Sequence, residues 1–169
     1  MVEYVYHVDE EDNVIGKVLR KDMRQKKLLH RGISVLVFNL KGQMLIQKRT
    51  MTKDVFPGRY EACIAGTVVY GEEYDETAIR EIKEEAGIKG VVPKYLFRYL
   101  FMNENTKAII KVYKIVYDGT IKSQESEVES SEFIDFEKVK EMLKTKSFCD
   151  DELDMFNFYL KEYHGKENE

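Results

Sequence analysis

Residues 66–88 read GTVVYGEEYDETAIREIKEEAGI, and the placement of apolar residues within this stretch describes a helix. Tyr74, Ala78, Ile82 and Ala86 recur at every fourth position, the spacing of one buried stripe, over about residues 73 to 86. Gly87 follows, where a left-handed residue that ends a helix is cheap only for glycine. On the same helix Glu81, Glu84 and Glu85 are related by i, i+3 and i+4, so three carboxylates share a face beside the buried stripe. Like charges at these spacings repel by roughly 0.2–0.5 kcal/mol per exposed pair, and by more when partly buried. Arg80 stands four residues before Glu84 and offsets part of this charge, but one guanidinium cannot balance three acids and Glu72 besides. A divalent cation can. Oxygen ligands with no neighbouring Cys or His favour a hard ion such as Mg2+ or Mn2+. Magnesium usually completes its shell with water and substrate phosphates, which points to phosphate-ester or pyrophosphate chemistry.

An isolated EIKEE run is ordinarily a solvated acidic face. Here it is embedded in the pattern G-x5-E-x7-R-E-U-x-E-E-x-G-U, with U a bulky aliphatic, matched by Gly66, Glu72, Arg80, Glu81, Ile82, Glu84, Glu85, Gly87 and Ile88. This is the Nudix box, and the chain resembles a Nudix hydrolase, related to MutT. The resemblance implies an α/β fold, the Nudix α/β/α sandwich with a mixed β-sheet. It also implies Glu81, Glu84 and Glu85 as metal ligands and Gly66, Glu72 and Gly87 as structural support of the box. Arg80 and Glu72 would steady loop and helix through charge-assisted contacts, and a main-chain carbonyl near Gly66 is a further candidate oxygen. Hydrolysis needs a base for the attacking water. The candidates are Glu84 and Glu85, with Glu125 or Glu127 of the stretch QESEVE as distal alternatives; that stretch also reads as a solvated acidic loop. Arg49, Lys53 and Arg59 flank the strands leading into the box and are candidate phosphate or substrate contacts, though each alone is an ordinary surface cation.

With 169 residues, 43% hydrophobic and 34% charged, the chain suits a single domain over 1–169, with residues 1–27 as an N-terminal hairpin extension. A net charge of −4 and a pI near 5.6 argue against a broad nucleic-acid surface and leave room for a local basic mouth. A phosphorylated small molecule is the expected partner, with the protein a monomer or homodimer. Two cysteines, Cys63 and Cys149, with no basic-then-apolar leader and no apolar run of membrane length, suggest a cytoplasmic protein with buried structural thiols.

Along the chain, residues 2–9 and 13–19 flank the acidic turn Asp9–Asp12 and predict a hairpin, followed by a helical turn or two at 21–27. The continuously apolar 33–40 and the run 43–49 read as two strands about the Lys41-Gly42 turn. A loop at 50–58 leads to one strand over 60–68. Beyond the box, 94–102 and 108–118 suggest a second hairpin, 132–136 a short strand, and 137–144 and 150–163 helices. Leu153, Phe156, Tyr159, Leu160 and Tyr163 form an aromatic stripe suited to a core or a dimer face. Helices interposed among such strands suggest a mixed sheet covered on both faces.

Upstream of the box, LLHRGISVLVFNLKGQMLIQKR (28–49), Lys53 and PGRYEACIAGT (57–67) resemble more narrowly the isopentenyl-diphosphate isomerase branch of the superfamily. That branch reads W-T-N-x-x-C-x-H-P after the Pro-Gly turn, with a catalytic Cys and a metal-binding His. Here those positions hold Ala65 and Thr67. His30 matches one histidine of the isomerase site, but the earlier one falls near Met23, so His30 reads as structural. Cys63 is displaced from the Cys position by two residues, about 6–7 Å along a strand, too far to substitute. The expectation is therefore an isomerase-like body with a hydrolase site that cleaves the pyrophosphate of a nucleoside diphosphate linked to another moiety. An isomerase and a non-catalytic nucleotide-binding regulator stand as alternatives.

Overall fold

A computed structural model describes residues 2–53 and 56–164. The N-terminal strands β1 (Tyr4–Val8) and β2 (Val14–Leu19) form the expected antiparallel hairpin, and α1 (Arg20–Lys26) follows directly. The turn between them is not merely solvated. Asp12 accepts hydrogen bonds from Arg31 Nε (2.7 Å) and from the Tyr74 hydroxyl (3.1 Å), which tie the hairpin to the body of the domain. Met23 is the buried residue of α1.

The strands β3 (His30–Phe38) and β4 (Met44–Arg49) are adjacent in sequence, yet they pair only at Phe38 and Met44. The two strands flank the Lys41-Gly42 turn as expected, but they diverge beyond it. β3 lies parallel to β8 (Lys107–Val116) along its whole length and antiparallel to β6 (Ile64–Thr67), while β4 lies antiparallel to β9 (Val128–Ile134) and to β5 (Tyr60–Glu61). A strand buried at every position from Gly32 to Phe38 must be covered on both faces, and β3 is. Ile33, Val35 and Val37 pack toward α2 (Tyr74–Ala86), and Leu36 and Phe38 pack toward α3 (Phe136–Thr145) and α4 (Asp150–Glu162). The result is an α/β fold with a mixed sheet, α2 on one face and α3 and α4 on the other. β7 (Lys94–Met102) completes the second hairpin with β8.

The predicted stripe of α2 is buried in full, and Ile88 continues it past the glycine. The Glu73 N–H is accepted by the Glu76 carboxylate at 2.9 Å, closing the first turn. At the other end Gly87 has φ 69°, and the N–H groups of Gly87 and Ile88 donate to Lys83 and Ile82, a Schellman closure. The stripe of α4 is core: Phe156 and Tyr159 are fully buried, and Tyr163 stacks on Phe97 at 4.2 Å.

Two further expectations are revised. Residues 60–68 form two strands, not one, because the chain breaks at Ala62–Cys63 and crosses from β4 to β3. The break exposes the Ala62 N–H within the core, and the buried Glu152 of α4 accepts it at 2.8 Å. In addition, β9 starts at Val128, ahead of the expected 132, because its backbone pairs with β4 while its polar side chains face solvent and conceal the strand. Both cysteines are buried. Among the described residues no helix is long and apolar enough to cross a membrane.

Burial pushes the Glu152 carboxyl well above its ordinary range, so a neutral isostere suits its place. Glu152→Gln is expected to stay within about 1 kcal/mol of the parent in urea unfolding, whereas Glu152→Ala, which strands the Ala62 donor, should lose about 2–4 kcal/mol.

Candidate functional site

A cavity of about 720 Å3 opens where β5, β6, α2 and the turn before β9 converge. Its wall includes Glu81, Glu84 and Glu85 of α2, Glu61 of β5 and Glu127 of the turn. The helix aims its three acids differently. Glu81 and Glu85 are inward, whereas the Glu84 side chain is 53% exposed.

Arg80 organises this group. Its Nε and Nη2 donate to Glu72 at 3.0 and 3.1 Å, and its Nη1 donates to Glu81 at 2.9 Å and Glu84 at 3.1 Å. Thr77 adds a hydroxyl donor to Glu72 at 2.8 Å. Burial opposes the ionised form of Glu72, but the bonds from Arg80 and Thr77 win and hold its carboxyl below the ordinary range. The loop before the helix and the helix itself thus share one guanidinium.

Gly66 owes its identity to close approach. A Cβ there would sit 2.4 Å from the Glu81 carboxylate and 2.5 Å from its Cγ, so any side chain would displace Glu81. Gly87 combines its positive φ with a Cβ position 2.9 Å from that of Lys122.

Deeper in the cavity the carboxylates crowd. Burial first, and then the charges of Glu61, Glu81 and Glu127, push Glu85 up to about 8, with Lys53 pulling the other way. Glu81 is raised by burial, with Arg80 opposing. Glu61 is raised by burial and countered by its ion pair with Arg49. Carboxyls this close would retain protons unless a cation offset them. An all-oxygen donor set from Glu81, Glu84, Glu85 and their neighbours fits a hard divalent ion such as Mg2+ or Mn2+. Glu61, Cys149 and Glu152 also bring their ligand atoms within 4.8 Å of one another at the cavity's edge. There Glu152 is committed to Ala62, and burial raises the Cys149 thiol.

The other candidates divide. Arg49 and Lys53 line the cavity, the latter paired with Glu127 at 2.6 Å. Arg59 does not; it donates to the Phe148 carbonyl (3.1 Å) and to Asp150 (2.7 Å), anchoring the start of α4. Of the two distal acids, Glu127 lines the cavity and Glu125 is exposed outside it. Ala65 and Thr67 are on the wall, Cys63 is in the core, and the buried His30 donates from Nδ1 to the Leu28 carbonyl at 3.1 Å.

The sequence reading missed Glu61 and the basic residues Arg20, Arg24 and Lys27, which also line the cavity. Glu61 had one signal, an acid inside an otherwise apolar strand. The α1 residues had none, because only the docking of the N-terminal segment brings them to the site.

The architecture is a mixed sheet between helices, with a carboxylate-rich helix face over a glycine of the adjoining strand. Residues 28–153 match the NUDIX domain model. The chain is 32% identical over 158 residues to the uncharacterized Nudix hydrolase PA4841 of Pseudomonas aeruginosa, covering 94% of each chain. Its fold is similar to the crystal structure of DR0079 from Deinococcus radiodurans, with a TM-score of 0.77, 23% identity, and 90% and 96% of the two chains covered. The NUDIX domain of Shewanella oneidensis NrtR, complexed with ADP ribose, is similar at a TM-score of 0.61 and 13% identity, over 78% of this chain and 86% of that one. The chain belongs to the Nudix family, and it is a hydrolase of that family.

Gly66→Ala should unfold cooperatively yet lower hydrolytic activity at least about tenfold by displacing Glu81, as steady-state rates beside circular dichroism would show.

Proposed function

We propose that this protein is a divalent-cation-dependent hydrolase of the pyrophosphate bond in a nucleoside diphosphate linked to another moiety. The observation that carries this reading is the convergence of Glu81, Glu84 and Glu85 with Glu61 and Glu127 on one cavity that also receives Arg49 and Lys53. Acids in excess of their basic partners suit a cation, and the cations beside them suit phosphate oxygens.

Glu81, Glu84 and Glu85 would hold Mg2+, or Mn2+ in its place. Such an ion supplies Lewis-acid polarisation and offsets the charge of the phosphates. Arg80 keeps Glu81 and Glu84 in place by donating to both. Arg49 and Lys53 orient the diphosphate. Glu127 is the candidate best placed to take the proton of the attacking water. It stands off the acidic helix, faces Glu85 closely enough to raise it, and is reached by Lys53.

The isomerase alternative lacks its catalytic Cys and metal-binding His, since Ala65 and Thr67 occupy the cavity wall at those positions. The complex of the NrtR domain with ADP ribose supports recognition of a nucleotide diphosphate by this fold and leaves a binding-only module as the rival to be tested by turnover.

Two experiments test the reading. With Mg2+ and a panel of nucleotide sugars, dinucleotides, coenzyme A and nucleoside triphosphates, product chromatography should show cleavage of a diphosphate-linked compound. That cleavage should vanish with EDTA and in Glu84→Gln/Glu85→Gln; full activity in either condition would refute the site, and tight binding without turnover would favour the binding module. On the compound found, Glu127→Gln should lower kcat by about 100-fold or more, while Glu125→Gln stays within about twofold. Equal effects of the two would return the base to α2.

A further inference from the structure

The N-terminal segment contributes a wall to the cavity whose charge is opposite to that of α2. Glu3, Arg20, Met23, Arg24, Lys27 and His30 all line it. Within α1 and its C-cap, Arg20, Arg24 and Lys27 are related by i, i+4 and i+7, one stripe of a helix, whereas Lys21, Asp22 and Lys26 lie off that stripe and away from the cavity. Three cations therefore share this wall with Glu3. Glu3 pairs with Arg20 Nη1 at 2.5 Å. The Arg20 Nε has no hydrogen-bond partner among the described residues although it is shielded from solvent. A buried N–H donor beside a cavity without an acceptor is costly, by about 1–3 kcal/mol, unless a ligand supplies one. The field of this wall is felt by its neighbours. Burial lowers the pKa of His30, and Arg20 and Arg24 lower it further. The basic and acidic walls line the same cavity.

We propose that the stripe Arg20, Arg24 and Lys27 is a second anion subsite of this cavity, and that the substrate carries a phosphate there in addition to the two of the scissile diphosphate. The proposal rests on the hydrolase reading above for its reaction, but the subsite stands on its own charges. Three cations in register match the dianion of a phosphate better than the single charge of a carboxylate. A cavity of about 720 Å3 has room for more than a diphosphate, since pockets that hold whole small ligands measure about 300–1,000 Å3. The added phosphate is either a monoester elsewhere on the substrate or a further link in the phosphate chain.

The test compares kcat/KM within two matched pairs, coenzyme A against dephospho-coenzyme A for the monoester and diadenosine tetraphosphate against diadenosine diphosphate for the chain. The protein is compared with Arg24→Gln/Lys27→Gln, both exposed positions that spare the Arg20–Glu3 pair. The parent should prefer the phosphate-richer member of one pair by at least about tenfold, and the ratio should fall below about threefold in the variant. The pair that responds identifies the source of the phosphate. Equal rates within both pairs, or a preference kept by the variant, overturns the subsite. If none of the four compounds is cleaved, calorimetry without metal compares adenosine 3′,5′-bisphosphate with AMP, neither of which has an anhydride bond. Tighter binding of the bisphosphate, lost in the variant, then supports the subsite while the hydrolase reading fails. Equal binding overturns the subsite as well.

Discussion

Arg80 stands at the centre of the site because it makes an otherwise repulsive helix face tolerable. Its guanidinium is shared among Glu72, Glu81 and Glu84, so the loop that enters α2 and two of the acids that leave it are held by a single planar donor. A lysine could not serve all three with the same fixed fork. Gly66 then sets how near the helix lies to β6, because the Glu81 side chain occupies the space a Cβ would need. Glu81 and Glu85 can consequently be drawn inward together, where they crowd with Glu61 and Glu127.

The sheet supplies the rest of the cavity by diverging. β3 and β4 separate after one residue pair, β5 follows β4, and β6 follows β3. This carries Glu61 and Arg49 to one side of the opening and Gly66 and Thr67 to another. The break at Ala62–Cys63 that permits the crossing leaves a backbone donor in the core, and Glu152 from α4 accepts it. A carboxyl buried for this structural purpose is distinct from those that face the cavity for chemistry, although the two sets meet at Glu61.

Charge is segregated rather than balanced. The chain as a whole is acidic at −4, yet α1 sets Arg20, Arg24 and Lys27 on a cavity whose other wall is carboxylate. The N-terminal hairpin is fixed to the domain through Asp12, Arg31 and Tyr74, so α1 is held where its cations adjoin the acids. The two walls thus present opposite charge to whatever occupies the cavity.

Local pattern determined much of this protein before any tertiary contact was known. The four-residue repeat of Tyr74, Ala78, Ile82 and Ala86 defines α2, the glycine after it defines the stop, and the box around it marks the acids, because helix period and capping act over neighbouring residues. The N-terminal hairpin, the β7–β8 hairpin and the terminal helices were legible for the same reason. What the sequence could not decide is which strands meet and which distant side chains share a cavity. β3 and β4 read as two strands about a turn, but an apolar run and a turn say nothing of partners that follow tens of residues later; β6 and β8 lie beside β3 and β9 beside β4. Arg59 and Glu125 were as eligible as Lys53 and Glu127 by composition, and Glu61 and the α1 stripe carried little or no local signal. Their selection belongs to the tertiary structure, since side-chain charge becomes a site only where long-range packing brings it within a few ångströms of its neighbours.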